Sequence, residues 1–172
     1  MNEFLNPEKI LNEIEIKSDM VAADFGCGSG GFSIPLAKKL ENGLVYAIDI
    51  QEQPLSFLKS CALVEKITNI KFIRSDLEKP RGSTLKDASI DLVLISNILF
   101  QTEEKNAIIE EAKRIIKDNG KIIIIEWSSS ISQGPEEKIS KETIKQLAEK
   151  NGLKMEKEFE AGKYHYGLIF KK

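Results

Sequence analysis

Apolar residues fall along the chain in two alternating patterns. Short runs of six or seven, such as Met20–Phe25, Leu44–Asp49, Ile70–Ser75, Ile90–Ser96 and Lys121–Glu126, read as strands. Between them lie stretches with helical spacing, which predicts stacked β-α units and a mostly parallel sheet. The nearly unbroken aliphatic run at Ile90–Ser96 predicts a strand buried on both faces. Helix punctuation supports the pattern. Asn6 and Pro7 open a short helix over about 6–16, with Ile10, Leu11 and Ile14 as its apolar stripe. Further helices are predicted over 32–41, from Pro54 to Val64, from a Thr102 cap to about Lys117, and from a Ser140 cap to Asn151-Gly152. Asn119-Gly120 reads as a left-handed stop before the fifth strand, and Ser128–Pro135 as a polar loop. The last two strands, Leu153–Phe159 and Tyr164–Phe170, are joined only by Glu160–Lys163, so they form an antiparallel hairpin. With 172 residues and no repeat or linker, the chain is expected to form one α/β domain over 1–172.

Composition narrows the class. The chain is 41% apolar and 30% charged, enough for a full core. No apolar run approaches the length of a membrane span and no basic-then-apolar leader opens the sequence, so the cytoplasm is the expected location. The net charge is −2 and only three of 25 basic residues are Arg, which disfavours a nucleic-acid partner. Two separate cysteines and a single histidine argue against a zinc site, so no metal is expected.

The candidate chemistry lies between the first strand and the helix after it: Asp24-Phe25-Gly26-Cys27-Gly28-Ser29-Gly30-Gly31. Glycines there permit a tight turn and a ligand's close approach to the main chain. Gly26, Gly28 and Gly31 satisfy a dinucleotide fingerprint, and Asp49 ends the next strand 19 residues after Gly30, where an acid takes ribose hydroxyls. These features suit NAD and S-adenosylmethionine equally. Asp24 separates the two. A carboxylate at the mouth of the site would repel a pyrophosphate and attract the ammonium of a methionine moiety.

Asp24 to Gly30 resembles the first motif of class I S-adenosylmethionine-dependent methyltransferases. The resemblance continues through Ala47-Ile48-Asp49-Ile50, Phe72–Leu77, Ile90–Asn97 and Lys117–Ile122, where Asp118-Asn119 replaces the usual Pro-Gly. Within that class it is most similar to the small-molecule enzymes of ubiquinone and menaquinone synthesis. The resemblance implies a Rossmann-like three-layer α/β/α fold with sheet order 3-2-1-4-5-7-6 and an antiparallel seventh strand. It implies S-adenosylmethionine as cofactor, with S-adenosylhomocysteine as product. Asp24, Phe25, Gly26, Cys27, Gly28 and Gly30 would hold the methionine part. Asp49 would bind the ribose, Ile50 and Gln51 would flank the adenine, and Asp76 with Leu77 would read its edge. Ser96 and Asn97 would line the methyl-donor end.

Methyl transfer needs alignment more than a fixed catalytic group, so the catalytic residues are left open. Candidates near the active edge are His165, Tyr164, Tyr166 and Asn97, with Phe100, Glu126 and Trp127 nearby. Packing is the favoured account of each of them taken singly. Ser96-Asn97-Ile98-Leu99 lacks the N/D-P-P-Y/F pattern that marks methylation of amino groups on bases and glutamine, so a small-molecule acceptor is expected. With no large lid in the sequence, a second copy or a partner chain is one way to complete the pocket. The alternatives are a non-catalytic cofactor-binding or scaffold module of the same fold, and an NAD-dependent oxidoreductase.

Overall fold

The computed structural model describes residues 5–172, so the first four positions of the expected domain lie outside the described residues. The strands are β1 (Val21–Phe25), β2 (Leu44–Asp49), β3 (Ile70–Arg74), β4 (Ile90–Ser96), β5 (Ile116–Trp127), β6 (Lys154–Glu160) and β7 (His165–Lys171). The helices are α1 (Pro7–Asn12), α2 (Ser33–Lys39), α3 (Glu52–Val64), α4 (Lys105–Ile115) and α5 (Lys141–Lys150). The strands form one seven-stranded sheet in the order 3-2-1-4-5-7-6. β1 to β5 pair in parallel, and β7 runs antiparallel between β5 and β6. This is the Rossmann-like sheet order that the resemblance implies.

Two apolar clusters sandwich the sheet. On one face α1, α2 and α3 bury Leu11, Leu36 and Leu58 against Val45, Leu92 and Ile123. On the other, α4 and α5 bury Ile108, Ile115 and Ile144 against Val93, Ile122 and Leu168. The inner residues of β4 and β5 contribute to both clusters, which is why those strands carry aliphatic residues without alternation.

Several predicted boundaries shift, each for a tertiary reason. Asn6 caps α1 as expected, its side chain accepting from the Lys9 amide at 3.0 Å. The helix nevertheless stops at Asn12 rather than near 16, closed by Glu13, whose amide donates to the Ile10 carbonyl. Ile14 then turns into the core instead of extending the helical stripe. Thr102 does not cap α4. Its hydroxyl donates to the Leu99 carbonyl, closing a 3-10 turn over Leu99–Gln101, and α4 starts three residues later, after Glu104. α4 ends at Ile115 because Ile116 already pairs with Ile90 in the sheet. Asn119-Gly120 is not a left-handed stop but part of β5, within a register shift against β4. Gly120 is there for room: a Cβ would lie 2.6 Å from Ile116 Cγ1 and 2.9 Å from the Asp91 carbonyl. Pro54 sits in the first turn of α3 rather than opening it. By contrast, Ser140 caps α5 and Gly152, at φ 72°, follows its end. The remaining element ends agree within one or two residues.

Candidate functional site

The carboxyl ends of the parallel strands carry a cavity of about 470 Å³, within the range of small-molecule sites. It lies where the strand order reverses between β1 and β4, the usual ligand position in open α/β sheets. Its near wall is the turn after β1. Gly26 and Cys27 both donate their amides to the Ile48 carbonyl, at 2.8 and 3.1 Å, fastening the turn to the end of β2. Gly26, Gly28 and Gly30 all adopt positive φ (67°, 52° and 92°). Two of them also admit close neighbours. A Cβ on Gly26 would lie 2.2 Å from Ile98 Cγ2, and one on Gly30 would lie 2.1 Å from Leu58 Cδ1. A Cβ on Gly28 would meet nothing, so the main chain there faces open space.

Asp49 ends β2 at the centre of the site. One carboxylate oxygen accepts from the Gly28 amide at 2.8 Å and the other from the Gln51 amide at 2.9 Å. Each oxygen keeps a lone pair, so Asp49 holds the turn and can still accept from a ligand's hydroxyls. Ile50, Gln51 and Pro54 continue the wall, and Ile50 is exposed. Ser75, Asp76, Leu77 and Glu78 form the opposite side. The Asp76 carboxylate accepts from the Glu78 amide at 3.0 Å, an Asx turn that presents the loop's main chain. Ser75 is tied to the Gly82 carbonyl, which pins the same loop.

The far end is built by Ser96, Asn97, Ile98, Gln101 and Thr102. Asn97 takes φ 56°, and its amide donates to the Ile125 carbonyl at 2.9 Å. The Asn97 carbonyl accepts from the Gln101 side chain at 3.1 Å. Beneath this turn lies Glu126, fully buried, with Oε1 accepting from the Leu99 amide at 2.7 Å. Burial pushes the Glu126 carboxyl up to about 7, against the pull of the Leu99, Ile98 and Phe100 amides and of Lys105.

Asp24 is placed differently from the sequence expectation. It is 2% exposed and absent from the cavity wall, because it lies under the glycine turn and accepts from the Ser33 hydroxyl at 2.5 Å. Burial raises it to about 7, and the bond from Ser33 opposes that rise. Ser33 itself escaped the sequence reading. Its signal was there: it opens the helix that the glycine turn folds back over the end of β1. Phe25 and Cys27 also lie behind the lining, in the core, and Gly30 lies behind it too, leaving room for Leu58. Burial holds the Cys27 thiol protonated, and the nearby Asp24 and Asp49 add to that effect. Gly26, Gly28, Asp49, Ile50, Gln51, Asp76, Leu77, Ser96 and Asn97 do border the cavity, joined by Pro54, Ile98, Gln101 and Thr102, which no motif had flagged.

Of the catalytic candidates, only Asn97 borders the cavity. The β5–β7 register sets His165 opposite Trp127 and Tyr166 opposite Glu126. The His165 and Trp127 rings lie 4.2 Å apart. Burial pushes His165 down to about 4, so it is neutral near pH 7. The Tyr166 hydroxyl donates to the Ile139 carbonyl at 2.7 Å, and burial keeps it protonated. The Tyr164 carbonyl accepts from the Ser128 amide at 2.8 Å, holding the start of the 128–135 loop, and Gly134 in that loop packs on the Trp127 ring. Among the described residues no group of His, Cys, Asp and Glu could hold a metal ion.

An open sheet with a glycine-lined crevice and an acid at the next strand end defines the class of nucleotide-cofactor α/β proteins. The profile of the methyltransferase-domain family matches residues 16–167, and the chain belongs to that family. A solved S-adenosylmethionine-dependent methyltransferase from Aquifex aeolicus superposes with a TM-score of 0.88 at 29% identity, covering 98% of this chain and 90% of that one. A demethylmenaquinone methyltransferase from Lactobacillus johnsonii is 25% identical over 126 residues, 70% of this chain and 49% of its own. A release factor glutamine methyltransferase from Fusobacterium nucleatum is 31% identical over 111 residues, 64% of this chain and 30% of its own. The chain thus spans from under a third to about half of these two relatives. The matches place it among class I S-adenosylmethionine-dependent methyltransferases and do not favour the dinucleotide alternative.

Proposed function

We propose that this protein transfers the methyl group of S-adenosylmethionine to a small-molecule acceptor. The observation that carries the reading is the open main chain at Gly28 beside Asp49, at one end of a cavity that runs on to Asn97. That donor set fits the cofactor. Asp49 would accept from the ribose hydroxyls with the lone pairs left by the Gly28 and Gln51 amides. Asp76 and the Leu77 main chain would meet the adenine edge, and Ile50 would cover its face. Ser96 and Asn97 would border the reacting end. Asp24 would act from beneath the glycine turn: a cation bound above it favours its ionised form, which then attracts that cation. The bound cofactor supplies an already activated methyl group on a sulfonium. The chain's task is to hold acceptor and donor in line and keep water out.

The small-molecule assignment rests on the Ser96-Asn97-Ile98-Leu99 sequence at the end of β4 and on the lack of a basic excess, with a net charge of −2 and three arginines. The demethylmenaquinone methyltransferase likeness supports it. We also assign the protein to the cytoplasm. No helix among the described residues is long and apolar enough to cross a membrane, and Cys27 and Cys61 are both free thiols. A second copy or a partner would complete the acceptor side beyond Gln101 and Thr102.

A thermal-shift comparison tests the reading. S-adenosylhomocysteine at 100 times its Kd should add about 2.7 kcal/mol of stability, a clear rise in melting temperature. A rise with NADH and none with S-adenosylhomocysteine would overturn the assignment. Mass-spectrometric detection of a methylated small molecule after incubation with cell metabolites and S-adenosylmethionine would identify the acceptor class.

A further inference from the structure

We propose that Glu126 is a positioning residue of the cofactor site, its buried carboxylate holding the Asn97–Gln101 turn in the shape that walls the cavity, so that cofactor binding is coupled to the charge on Glu126. The inference rests on the S-adenosylmethionine reading above. It starts from what the turn must do. Asn97 is held at φ 56°, a conformation that non-glycine residues adopt only when their surroundings impose it. Ile98 is pressed into the space that Gly26 leaves by lacking a Cβ. Asn97, Ile98 and Gln101 all border the cavity. A small displacement of this turn therefore changes the cavity wall and the contact with the glycine turn together.

Glu126 holds the turn from below. Its Oε1 accepts from the Leu99 amide at 2.7 Å, and the Ile98 and Phe100 amides are also oriented to favour the carboxylate. Its other oxygen, Oε2, is buried with no hydrogen-bond partner, as is Asn97 Oδ1. A merely structural role would be served as well by a neutral side chain, and a buried carboxylate with an unsatisfied oxygen calls for another explanation. Ionised, Glu126 offers only acceptors to the amides above it. Protonated, it loses the charge that strengthens the bonds from those amides, and its grip weakens.

The surroundings leave this balance to Glu126 itself. From α4, Lys105 favours the carboxylate. From β7, Tyr166 stays protonated and uses its hydroxyl on the Ile139 carbonyl. His165, which alternation places on the other face of β7, is neutral near pH 7. The turn contributes amides and the uncharged Asn97. Burial opposes the charge, so the ionised form that the turn needs prevails only above about pH 7. A ligand that requires the formed turn then binds the ionised protein better and expels a proton when it binds at lower pH.

Calorimetric titration of the full chain with S-adenosylhomocysteine, at about pH 6, 7 and 8, reads this coupling. Asp24 titrates in the same range, so Asp24→Asn serves as the comparison. For the wild type we expect affinity to fall by up to about tenfold per pH unit below the midpoint for each linked proton. Glu126→Gln should bind more weakly than wild type at pH 8 and show a flatter pH dependence, while Asp24→Asn keeps the Glu126 part of the slope. Wild-type affinity at pH 8 in Glu126→Gln, with an unaltered slope, would overturn the proposal. Should that variant not fold, hydrogen exchange in the wild type decides. The Leu99 amide should lose protection, corrected for the intrinsic rate, between pH 8 and pH 6, and constant protection would refute the coupling. No binding of S-adenosylhomocysteine by the wild type at pH 8 would instead sink the cofactor reading, a result distinct from either.

Discussion

Gly26 is the position where the turn after β1 and the turn after β4 meet, and replacing it tests how the site is assembled. Gly26→Ala introduces two costs. At φ 67° an alanine is strained by about 1 to 2 kcal/mol. Its Cβ would also lie 2.2 Å from Ile98 Cγ2, closer than any real contact, so Ile98 must move. Overpacking of that kind costs about 1 to 3 kcal/mol, for a total of roughly 2 to 5 kcal/mol. Ile98→Ala alone leaves a cavity at a residue only 9% exposed, and costs about 2 to 5 kcal/mol. In the double variant the clashing methyl is gone, and the closest approach left is 3.3 Å to the residue-98 Cβ, which a shift of a few tenths of an ångström relieves. The double variant should therefore be more stable than the sum of the single effects predicts, by about 1 to 3 kcal/mol. Urea unfolding of the four proteins of the cycle measures this directly, and binding of S-adenosylhomocysteine should recover in the same direction. If the single effects add to within about 0.5 kcal/mol, the two turns do not press on each other and this account of Gly26 is wrong.

Asp24→Asn tests the buried carboxyl through pH. A folded-state value near 7 against 3.8 for the free side chain means that the native protein binds the extra proton. The favourable neutral form is fully present below about pH 4 and is lost as the pH rises through 7, so Asp24→Asn should gain stability over wild type at pH 8 and not at pH 4. Equal stability differences at the two pH values, by urea unfolding, would contradict this. Asp49→Ala removes the acceptor for two turn amides at 2.8 and 2.9 Å, and should weaken S-adenosylhomocysteine binding by roughly ten- to a hundredfold, at about 1.5 to 3 kcal/mol for a charged hydrogen bond. Calorimetry giving wild-type affinity would refute it. Away from the site, Glu111 is buried and accepts from Arg114, Ser83 Oγ and the Ser83 amide. Arg114 keeps its pair with Asp87 at 2.6 Å, so Glu111→Ala should cost about 1 to 3 kcal/mol, by leaving the Ser83 amide and hydroxyl without their buried acceptor, a fall in Tm that a thermal melt detects.

The residues near each other along the chain were legible in advance. The strand runs at Leu44–Asp49 and Ile90–Ser96, the caps at Asn6 and Ser140 and the short link before β7 follow from periodicity, capping chemistry and loop length. The sheet order came from resemblance to a family and not from those local signals, since pairing between distant strands leaves no mark in spacing. The glycine turn and the acid at the end of β2 were visible for a similar local reason: backbone that must bend sharply and stay open needs glycine, and a strand end needs an acceptor.

The sites of error share the opposite cause. Thr102 has the chemistry of a cap, yet the helix starts at Lys105, because Glu126 on another strand claims the Leu99 amide and bends the chain first. Asn119-Gly120 has the chemistry of a helix stop, yet Ile116 is already paired in the sheet and Gly120 is there to clear Asp91 and Ile116. Asp24 could be placed at a strand end by counting, but whether it faces the crevice or lies beneath it depends on Ser33 and the fold of the turn above. Composition, periodicity and local turns are properties of neighbouring residues, and one dimension records them. Which carboxylate is buried, which amide it holds and which proton it keeps depend on groups brought together from distant parts of the chain, and only the packed molecule decides them.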